Sequence, residues 1–260
     1  MSIRERLRLS FDPAYFFEFV TGYSADPWQR ELCKAVAHAA FNTKAEPRKF
    51  HLAAARQSGK TELTASLAAW LAAYGRVGET VALVGPAERQ ALYLLGKAKK
   101  HLRQLPTDEI QIGRENEGSV MLSNGSQIIA VPQNPDGIRC LTCACIVADE
   151  AARCSPEVWP ALFPMISVSR GLAILLSTPA GRENLFGQLD RDRDANWHYT
   201  KVGVADNPRM TEAELNSQRR ILGSARFKSE FLVDYEGGLD TAFFDPEVLA
   251  RARANFPTLD

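Results

Sequence analysis

The chain has 260 residues, of which 45% are hydrophobic and 24% are charged, as in globular proteins and unlike disordered or fibrous ones. Lysine plus arginine and aspartate plus glutamate each number 31, which excludes a basic field over the whole surface but leaves a local basic face open. No apolar run reaches the about 20 residues that a membrane span needs, so no membrane partner is expected. The charged N-terminus lacks the apolar region of a signal peptide, which predicts a cytoplasmic protein with reduced cysteines.

Strands and helices alternate along most of the sequence, after an N-terminal arm with a short aromatic helix. The central helices are predicted over 27–40, 60–74 and 87–104. The strands are predicted over 49–54, 80–84, 119–122, 127–131, 143–148 and 173–176. Asn124-Gly125 lies between two alternating runs and predicts a hairpin. Because several strands are continuously apolar, the pattern favours an α/β fold with a mostly parallel sheet.

The composition predicts four parts along the chain. These are an N-terminal arm (1–24), a core (25–205), a small helical appendage (206–238) and a linker (239–260). In the appendage, Thr211 begins a helix with a capping-box pattern. Gly223 is predicted to separate that helix from a second one.

Four cysteines lie close together in the sequence, and a zinc site has to be weighed against packing. They are Cys140, Cys143, Cys145 and Cys154. Their spacing, C-x2-C-x-C-x8-C, is not a usual zinc pattern. Two of them lie inside the apolar run LTCACIVA, where cysteine behaves as a small buried hydrophobe. The pattern therefore favours packing over metal binding.

The segment AARQSGKT, residues 54–61, has the form of a phosphate-binding loop between a strand and a helix. The backbone N–H groups of such a loop and the positive end of its helix bind phosphate. Lys60 is predicted to contact the β- and γ-phosphates, and the Thr61 hydroxyl to bind Mg²⁺. Ala54 stands where the usual pattern has glycine. The alternative is an ordinary strand-loop-helix turn.

Two further strand ends carry polar residues that suit nucleotide hydrolysis. Asp149 and Glu150 follow the apolar strand 143–148, and Asp149 is predicted to hold Mg²⁺ while Glu150 deprotonates the attacking water. Ser177 and Thr178 end the next strand and are predicted to sense the γ-phosphate, although a polar strand cap explains them equally well. These two hydroxyl residues are therefore predicted to couple hydrolysis to a moving element.

A glutamine near the N-terminus completes the predicted nucleotide site. Gln29, in the segment DPWQ, has an amide whose donor and acceptor suit the N7 and N6 edge of adenine. An exposed glutamine at a helix start is the alternative. The predicted ATP-binding residues are Gln29, Arg56, Gln57, Ser58, Gly59, Lys60 and Thr61.

With these elements in order, the chain resembles the ATPase domain of the large terminase subunit of tailed bacteriophages. The motifs that carry the resemblance are DPWQ (26–29), ARQSGKT (55–61), IVADEA (146–151) and STP (177–179). The resemblance extends over about 12–238, with 206–238 similar to the family's helical lid. It implies a P-loop NTPase of the additional-strand catalytic-Glu class, similar to RecA, with a small C-terminal lid.

The resemblance also implies an activity and partners. The expected activity is Mg²⁺-dependent ATP hydrolysis that moves double-stranded DNA into a procapsid. The expected partners are DNA, further copies of the chain in a ring on the procapsid portal, and the small terminase subunit, all in the cytoplasm of an infected bacterium. Large terminases continue into a nuclease domain, so the sequence is expected to be an isolated ATPase domain with a linker at 239–260.

ATP hydrolysis also needs a cation at the developing γ-phosphate charge. The candidate arginines are Arg56, Arg139, Arg153, Arg170 and Arg182. Arg139 follows Asp136-Gly137 and is favoured as a finger that reaches a neighbouring subunit, whereas Arg56 would act within its own subunit. An exposed surface arginine is the alternative for Arg139.

Three other functions are compatible with some of these motifs. A helicase or translocase shares the acid pair but typically has two motor domains. A nucleotide-gated binding switch would bind ATP and barely hydrolyse it. A small-molecule kinase would need an acceptor pocket, and the sequence shows no residue pattern for one.

Overall fold

The structure is a computed structural model that describes residues 1–106, 108, 110–131, 142–207 and 210–236. Within these residues the strands are β1 (Lys49–Ala54), β2 (Thr80–Val84), β3 (Ile112–Glu115), β4 (Ser119–Leu122), β5 (Gln127–Ala130), β6 (Cys145–Asp149), β7 (Leu172–Ser177) and β8 (Trp197–Val202). The helices are α1 (Ile3–Phe11), α2 (Pro13–Thr21), α3 (Pro27–Phe41), α4 (Lys60–Tyr74), α5 (Glu88–Leu102), α6 (Trp159–Ser167), α7 (Leu185–Asp192) and α8 (Glu212–Leu232). In the part of the chain that the structure describes, no helix combines the length and the hydrophobicity of a membrane-spanning segment.

All of these strands belong to one sheet with the order β3-β4-β5-β2-β6-β7-β1-β8. The six strands from β5 to β8 in this order are parallel. Strands β3 and β4 are antiparallel additions at one edge, and β4 pairs with β5 across the predicted Asn-Gly hairpin. The mostly parallel α/β sheet predicted from the apolar strands is thus confirmed.

Each central strand is buried on both faces, which explains its continuous apolar sequence. Leu52, Leu83 and Val147 belong to the core on the face covered by helices α1–α5. Their neighbours Ala53 and Ala82 belong to the opposite core, with residues of α6 and α7. Adjacent residues of a strand point to opposite faces, so the sheet is the middle layer of three.

Several elements of the structure are absent from the sequence predictions. They are α1, α6, α7, β3 and β8. Helix α1 buries only Leu9 and has exposed apolar side chains, so it lacks a clear amphipathic pattern. Helix α6 begins with Trp159-Pro160 and contains Pro164, a residue that disfavours a helix interior. Strand β8 is an edge strand whose central residues are partly exposed and polar.

Several predicted elements have slightly different bounds in the structure, and two of them differ by more than one residue at one end. The helix predicted over 87–104 spans Glu88–Leu102, and the strand predicted over 143–148 spans Cys145–Asp149. The strand is extended because Asp149 still pairs with β7. Such shifts of one or two residues are usual at element ends.

Helix α8 has the predicted start and the predicted interruption. The Glu214 carboxylate accepts hydrogen bonds from the Thr211 N–H group and hydroxyl at 2.8 and 2.7 Å. Gly223 has φ +75° and breaks the helical backbone. Most side chains before Gly223 are exposed, whereas Phe227 and Phe231 are buried. The predicted linker 239–260 lies outside the described residues.

The described cysteines lie in the interior of the protein. Cys33, Cys143, Cys145 and Cys154 are all buried and free. Burial raises the pKa of Cys143 to about 11 and that of Cys154 to about 12. These thiols therefore stay protonated and unreactive at neutral pH. Cys140 lies outside the described residues.

Candidate functional site

The segment 55–59 forms a loop between β1 and the first turn of α4. Gly59 adopts φ +84° at the N-terminal cap of α4, a conformation that favours glycine. A Cβ atom at Gly59 would also lie 3.2 Å from the Gln29 Nε2 atom. Gln57 also has a positive φ, of +58°, so the loop backbone is left-handed at two positions. The loop therefore brings backbone N–H groups to a helix N-terminus, the arrangement that binds phosphate.

Two hydrogen bonds attach this loop to the C-terminal part of the chain. The Arg56 N–H group donates to the Glu230 carbonyl oxygen of α8 at 2.8 Å. The Asn207 side-chain amide donates to the Gln57 carbonyl oxygen at 3.0 Å. The loop conformation is thus held by residues far away in the sequence.

Gln29 lies beside the loop, as expected, but it is buried. Only 1% of the residue is exposed, and its Oε1 accepts a hydrogen bond from the Asp26 N–H group at 2.8 Å. This bond helps to begin α3. The Nε2 group is the part of the amide that approaches Gly59. The adenine-reading role of Gln29 stays a prediction.

The acid pair lies at the carboxyl end of β6, next to the phosphate loop. The Lys60 Nζ atom is 3.2 Å from Glu150 Oε1. Thr61 hydrogen-bonds to Asp149, whereas burial and then the charge of Glu150 raise the pKa of Asp149. Glu150 adopts φ +51°, a rare conformation for a residue with a side chain and one that is concentrated at functional sites.

Ser177 and Thr178 also reach the acid pair, because β7 is the neighbour of β6. Each of their hydroxyl oxygens lies 3.4 Å from Glu150 Oε2. The Ser177 hydroxyl donates to the Thr178 carbonyl oxygen and accepts from the Ala152 N–H group. The structure thus brings the predicted coupling residues together with the predicted base.

Two of the five candidate arginines contact this site. The Arg56 Nε atom lies 2.7 Å from Glu230 Oε2. The Arg153 Nη1 atom lies 2.8 Å from Glu150 Oε2 and donates to the Thr178 hydroxyl oxygen, also at 2.8 Å. Both guanidinium groups therefore stand within the ion-pair network around Glu150.

Two further candidates, Arg170 and Arg182, pair with acids elsewhere in the described part of the chain. Arg170 precedes β7, at the opposite edge of the sheet, and pairs with Glu46 at 2.6 Å. Arg170 therefore lies away from the phosphate loop of its own subunit. Arg182 lies 3.8 Å from Asp190 of α7. Arg139, the arginine favoured as a finger, lies outside the described residues.

Sequence reasoning missed Glu230 as a site residue. This residue is only 3% exposed, although it carries a carboxylate. Besides its ion pair with Arg56, it accepts a hydrogen bond from Arg153 Nη2 at 3.4 Å. Its signal in the sequence is an acid beside Phe231, one of two phenylalanines that lie on one face of the second half of the helix. A buried carboxylate needs cationic partners, but nothing in the sequence identifies which arginines these are.

The residues present fit a magnesium ion and a phosphate chain. Thr61 and Asp149 offer a hydroxyl and a carboxylate, and Mg²⁺ usually binds through one or two such groups plus phosphate oxygens. The Ser58 hydroxyl is fully buried and has no hydrogen-bond partner among the described residues. The described residues contain no cluster of three or more histidines, cysteines or acids that could hold a metal alone. A phosphate oxygen would satisfy Ser58.

The order of the strands defines the class of the protein. Strand β7 lies between β1, which leads into the phosphate loop, and β6, which ends in the acid pair. An inserted strand between these two and a glutamate at the end of β6 define a P-loop NTPase of the additional-strand catalytic-Glu class. The profile of the family described as "Terminase large subunit, T4likevirus-type, N-terminal" matches residues 52–227. The chain belongs to this family.

Individual relatives agree with this assignment. The large terminase subunit of Thermus phage G20c is 30% identical over 145 residues, which are 48% of this chain but only 30% of that protein. The ATPase domain of the Thermus phage P74-26 large terminase superposes with a TM-score of 0.70 at 18% identity, over 86% of this chain and 99% of that one. The large terminase of another thermophilic bacteriophage, in complex with ATP-γ-S, superposes with a TM-score of 0.64 at 14% identity, over 81% of this chain and 52% of that one. These structures share the fold of this chain.

Proposed function

We propose that this chain is a Mg²⁺-dependent ATPase that drives double-stranded viral DNA into a procapsid. The observation that carries the proposal is the approach of Lys60 to Glu150, 3.2 Å apart, at the carboxyl edge of a sheet with β7 inserted between their strands. A phosphate-binding lysine and an acid that faces it are the two parts that hydrolysis of a γ-phosphate requires. Membership of the terminase family supports the same activity.

The residues of the site divide the work of hydrolysis. The loop N–H groups and Lys60 bind the β- and γ-phosphates. Thr61 and Asp149 would hold Mg²⁺, which would supply positive charge near the phosphate oxygens. Glu150 accepts a proton from the attacking water, and general bases of this kind accelerate reactions by about 10²–10⁴-fold.

Nucleotide complexes of a related protein support ATP as the substrate. The large terminase of the same thermophilic bacteriophage has been crystallised with ADP and with ATP-γ-S. We extend this binding to the present chain because the phosphate loop has the required backbone conformation. Arg56 or Arg139 supplies the further cation, Arg56 within the subunit and Arg139 from the next subunit of a ring.

The remaining partners follow from the family. Double-stranded DNA is the object that is moved, and the ring is assembled on the procapsid portal with the help of the small terminase subunit. The place of action is the cytoplasm of an infected bacterium. Domain boundaries at 24, 205 and 238 remain part of the proposal.

The decisive test compares ATP turnover by the wild-type chain and by Glu150→Gln. Glu115→Gln is the matched control, because Glu115 pairs with Arg103 on the surface of β3. Turnover by wild type and control, with loss in Glu150→Gln, supports an ATPase. ATP binding without turnover by the wild type would instead indicate a nucleotide-gated switch. Packaging of DNA into procapsids by the wild type, and not by Glu150→Gln, tests the motor function.

A further inference from the structure

Arg153 connects three parts of the molecule through one guanidinium group. Its Nη1 atom lies 2.8 Å from Glu150 Oε2 at the end of β6 and 2.8 Å from the Thr178 hydroxyl oxygen at the end of β7. Its Nη2 atom lies 3.4 Å from Glu230 Oε1 on α8. Arg153 itself follows Glu150 in a short 3-10 turn, where its N–H group donates to the Glu150 carbonyl oxygen.

The shape of arginine suits this position. A guanidinium presents several N–H donors in a rigid plane, so it can serve two carboxylates and a hydroxyl at the same time. A lysine ammonium is a single point charge on a flexible chain. Because Glu230 is 3% exposed, its carboxylate cannot turn to solvent and stays available to hold Arg153 in place.

The two oxygens of Glu150 have different neighbours. Oε1 lies near Lys60 at 3.2 Å, and Oε2 lies near Arg153 at 2.8 Å. In the proposed reaction Lys60 moves its contact to the phosphates, which releases Oε1. Arg153 does not bind phosphate in this scheme and keeps its contact with Oε2. The carboxylate then has one fixed oxygen and one free oxygen.

Among the described residues, the charged side chains at Glu150 balance in number. Three cations, Arg56, Lys60 and Arg153, lie near three acids, and one of these acids is Asp149, next to Glu150 and Lys60. The other two acids are Glu150 and Glu230. If one of these cations moves to the phosphates, the electrostatic forces that orient the three carboxylates change.

We propose that Arg153 is the positioning residue that orients the Glu150 carboxylate, so that Oε1 is the oxygen that accepts the proton from water. Glu230 and Thr178 hold the Arg153 guanidinium, and through it the position of α8 acts on the base. This inference rests on the proposed ATP hydrolysis and adds a residue and a route of control to it.

The first experiment measures kcat and KM for ATP in Arg153→Gln and Arg153→Lys. Orientation of the base affects the chemical step, so we expect Arg153→Gln to lower kcat about tenfold to a hundredfold, with KM within about threefold of wild type. Arg153→Lys keeps the positive charge but not the planar guanidinium group, and we expect its kcat to lie between those of the wild type and Arg153→Gln. Arg103→Gln removes an exposed arginine that pairs with Glu115 and serves as the control.

The outcomes separate this inference from the proposed function. No turnover by the wild-type chain refutes the proposed ATPase. Turnover by the wild type with kcat unchanged in Arg153→Gln refutes the role of Arg153 alone. A raised KM with unchanged kcat also refutes it, because the residue would then act in binding. If Arg153→Gln does not fold, the kcat of Arg153→Lys decides, and a wild-type value refutes the inference.

A double-mutant cycle tests the connection to α8. Glu230→Gln is measured in the wild-type and in the Arg153→Gln backgrounds. Glu230 also pairs with Arg56, so Glu230→Gln is expected to change kcat in both backgrounds. The inference requires a smaller fold-change in kcat in the Arg153→Gln background, because part of the effect is then already lost. Equal fold-changes in both backgrounds would show that Glu230 does not act through Arg153.

Discussion

Lys60 Nζ and Glu150 Oε1 lie 3.2 Å apart, so the lysine of the phosphate loop and the predicted base form an ion pair with each other. Lys60 is only 6% exposed, and the pair satisfies its charge. In the proposed reaction, phosphate oxygens replace Glu150 as the partner of Lys60 when nucleotide binds. Glu150 would then compete with the nucleotide for the lysine.

This competition predicts that Glu150→Gln binds nucleotide more tightly than wild type while it loses turnover. An ion pair of this kind is worth up to about 1 kcal/mol, which corresponds to about fivefold in affinity. The dissociation constant of a non-hydrolysable ATP analogue, measured by calorimetry, checks the prediction. Weaker binding by Glu150→Gln than by the Glu115→Gln control would contradict it.

If Arg139 completes the site of a neighbouring subunit, ATP turnover per subunit rises with protein concentration. A cation at the developing γ-phosphate charge is worth about 10³–10⁵ in rate, so assembly has a large effect. Turnover over a hundredfold range of concentration, with Glu150→Gln as the blank, is the measurement. Turnover that is constant and well above the blank would mean that each subunit is self-sufficient and would favour Arg56.

Asp149 predicts an acid limit for binding of the magnesium–nucleotide complex. Burial raises the pKa of its carboxyl group above the ordinary value of 3.8, so the group takes up a proton at a higher pH than an exposed aspartate. Below that pKa the affinity falls about tenfold per pH unit, because the proton has to leave before the metal binds. The same pH titration is carried out on Asp149→Asn. Because the phosphates of the nucleotide titrate equally in both experiments, the difference between the two proteins reports Asp149. Identical pH profiles for the two proteins would show that Asp149 does not hold the metal.

His51 of β1 predicts a loss of stability in mild acid. The residue is 1% exposed, stacks on Phe186 with ring centroids 3.8 Å apart and hydrogen-bonds to the Phe186 carbonyl oxygen. Burial lowers its pKa from 6.5 to about 4. Between these values the unfolded chain binds a proton that the folded chain does not, so stability is full above pH 6.5 and falls as the pH drops towards 4.

The size of this effect follows from the pKa shift. Between pH 7 and pH 5 the histidine alone should lower the free energy of unfolding by about 2 kcal/mol. Denaturant titrations of the wild type and His51→Gln at both pH values measure it, and the variant should lack this component. A pH-dependent loss of the same size in the variant would assign the acid sensitivity to other groups.

The parallel core of the sheet, the phosphate loop and the polar residues at the ends of β6 and β7 were predictable because local patterns determine them. Apolar runs that end in Asp149-Glu150 and in Ser177-Thr178 place these residues at one edge of a parallel sheet, since the carboxyl ends of parallel strands lie together. The glycine, lysine and threonine of the phosphate loop likewise follow from the backbone that a strand-loop-helix turn requires. These predictions needed no knowledge of which distant residues meet.

The contacts of the C-terminal helix α8 were not predictable, because they depend on residues that are distant in the sequence. Glu230 meets Arg56 and Arg153 only after the chain has folded, and a charged residue in a sequence does not reveal its partner. Strand β8, at the edge of the sheet next to β1, was missed because its exposed positions are polar and its apolar ones are few. Long-range pairing, rather than local pattern, decides both features.

The hydrogen bond from the Arg56 N–H group to the Glu230 carbonyl oxygen has a consequence for mutagenesis. Both atoms belong to the main chain, so replacing either side chain leaves the bond in place, and only proline at position 56 would remove the donor. Substituting Glu230 thus removes the carboxylate charge but keeps the main-chain hydrogen bond between α8 and the phosphate loop. A rotation of α8 would still displace the backbone of this loop. A change in the protection of the Arg56 amide against hydrogen exchange would report that displacement.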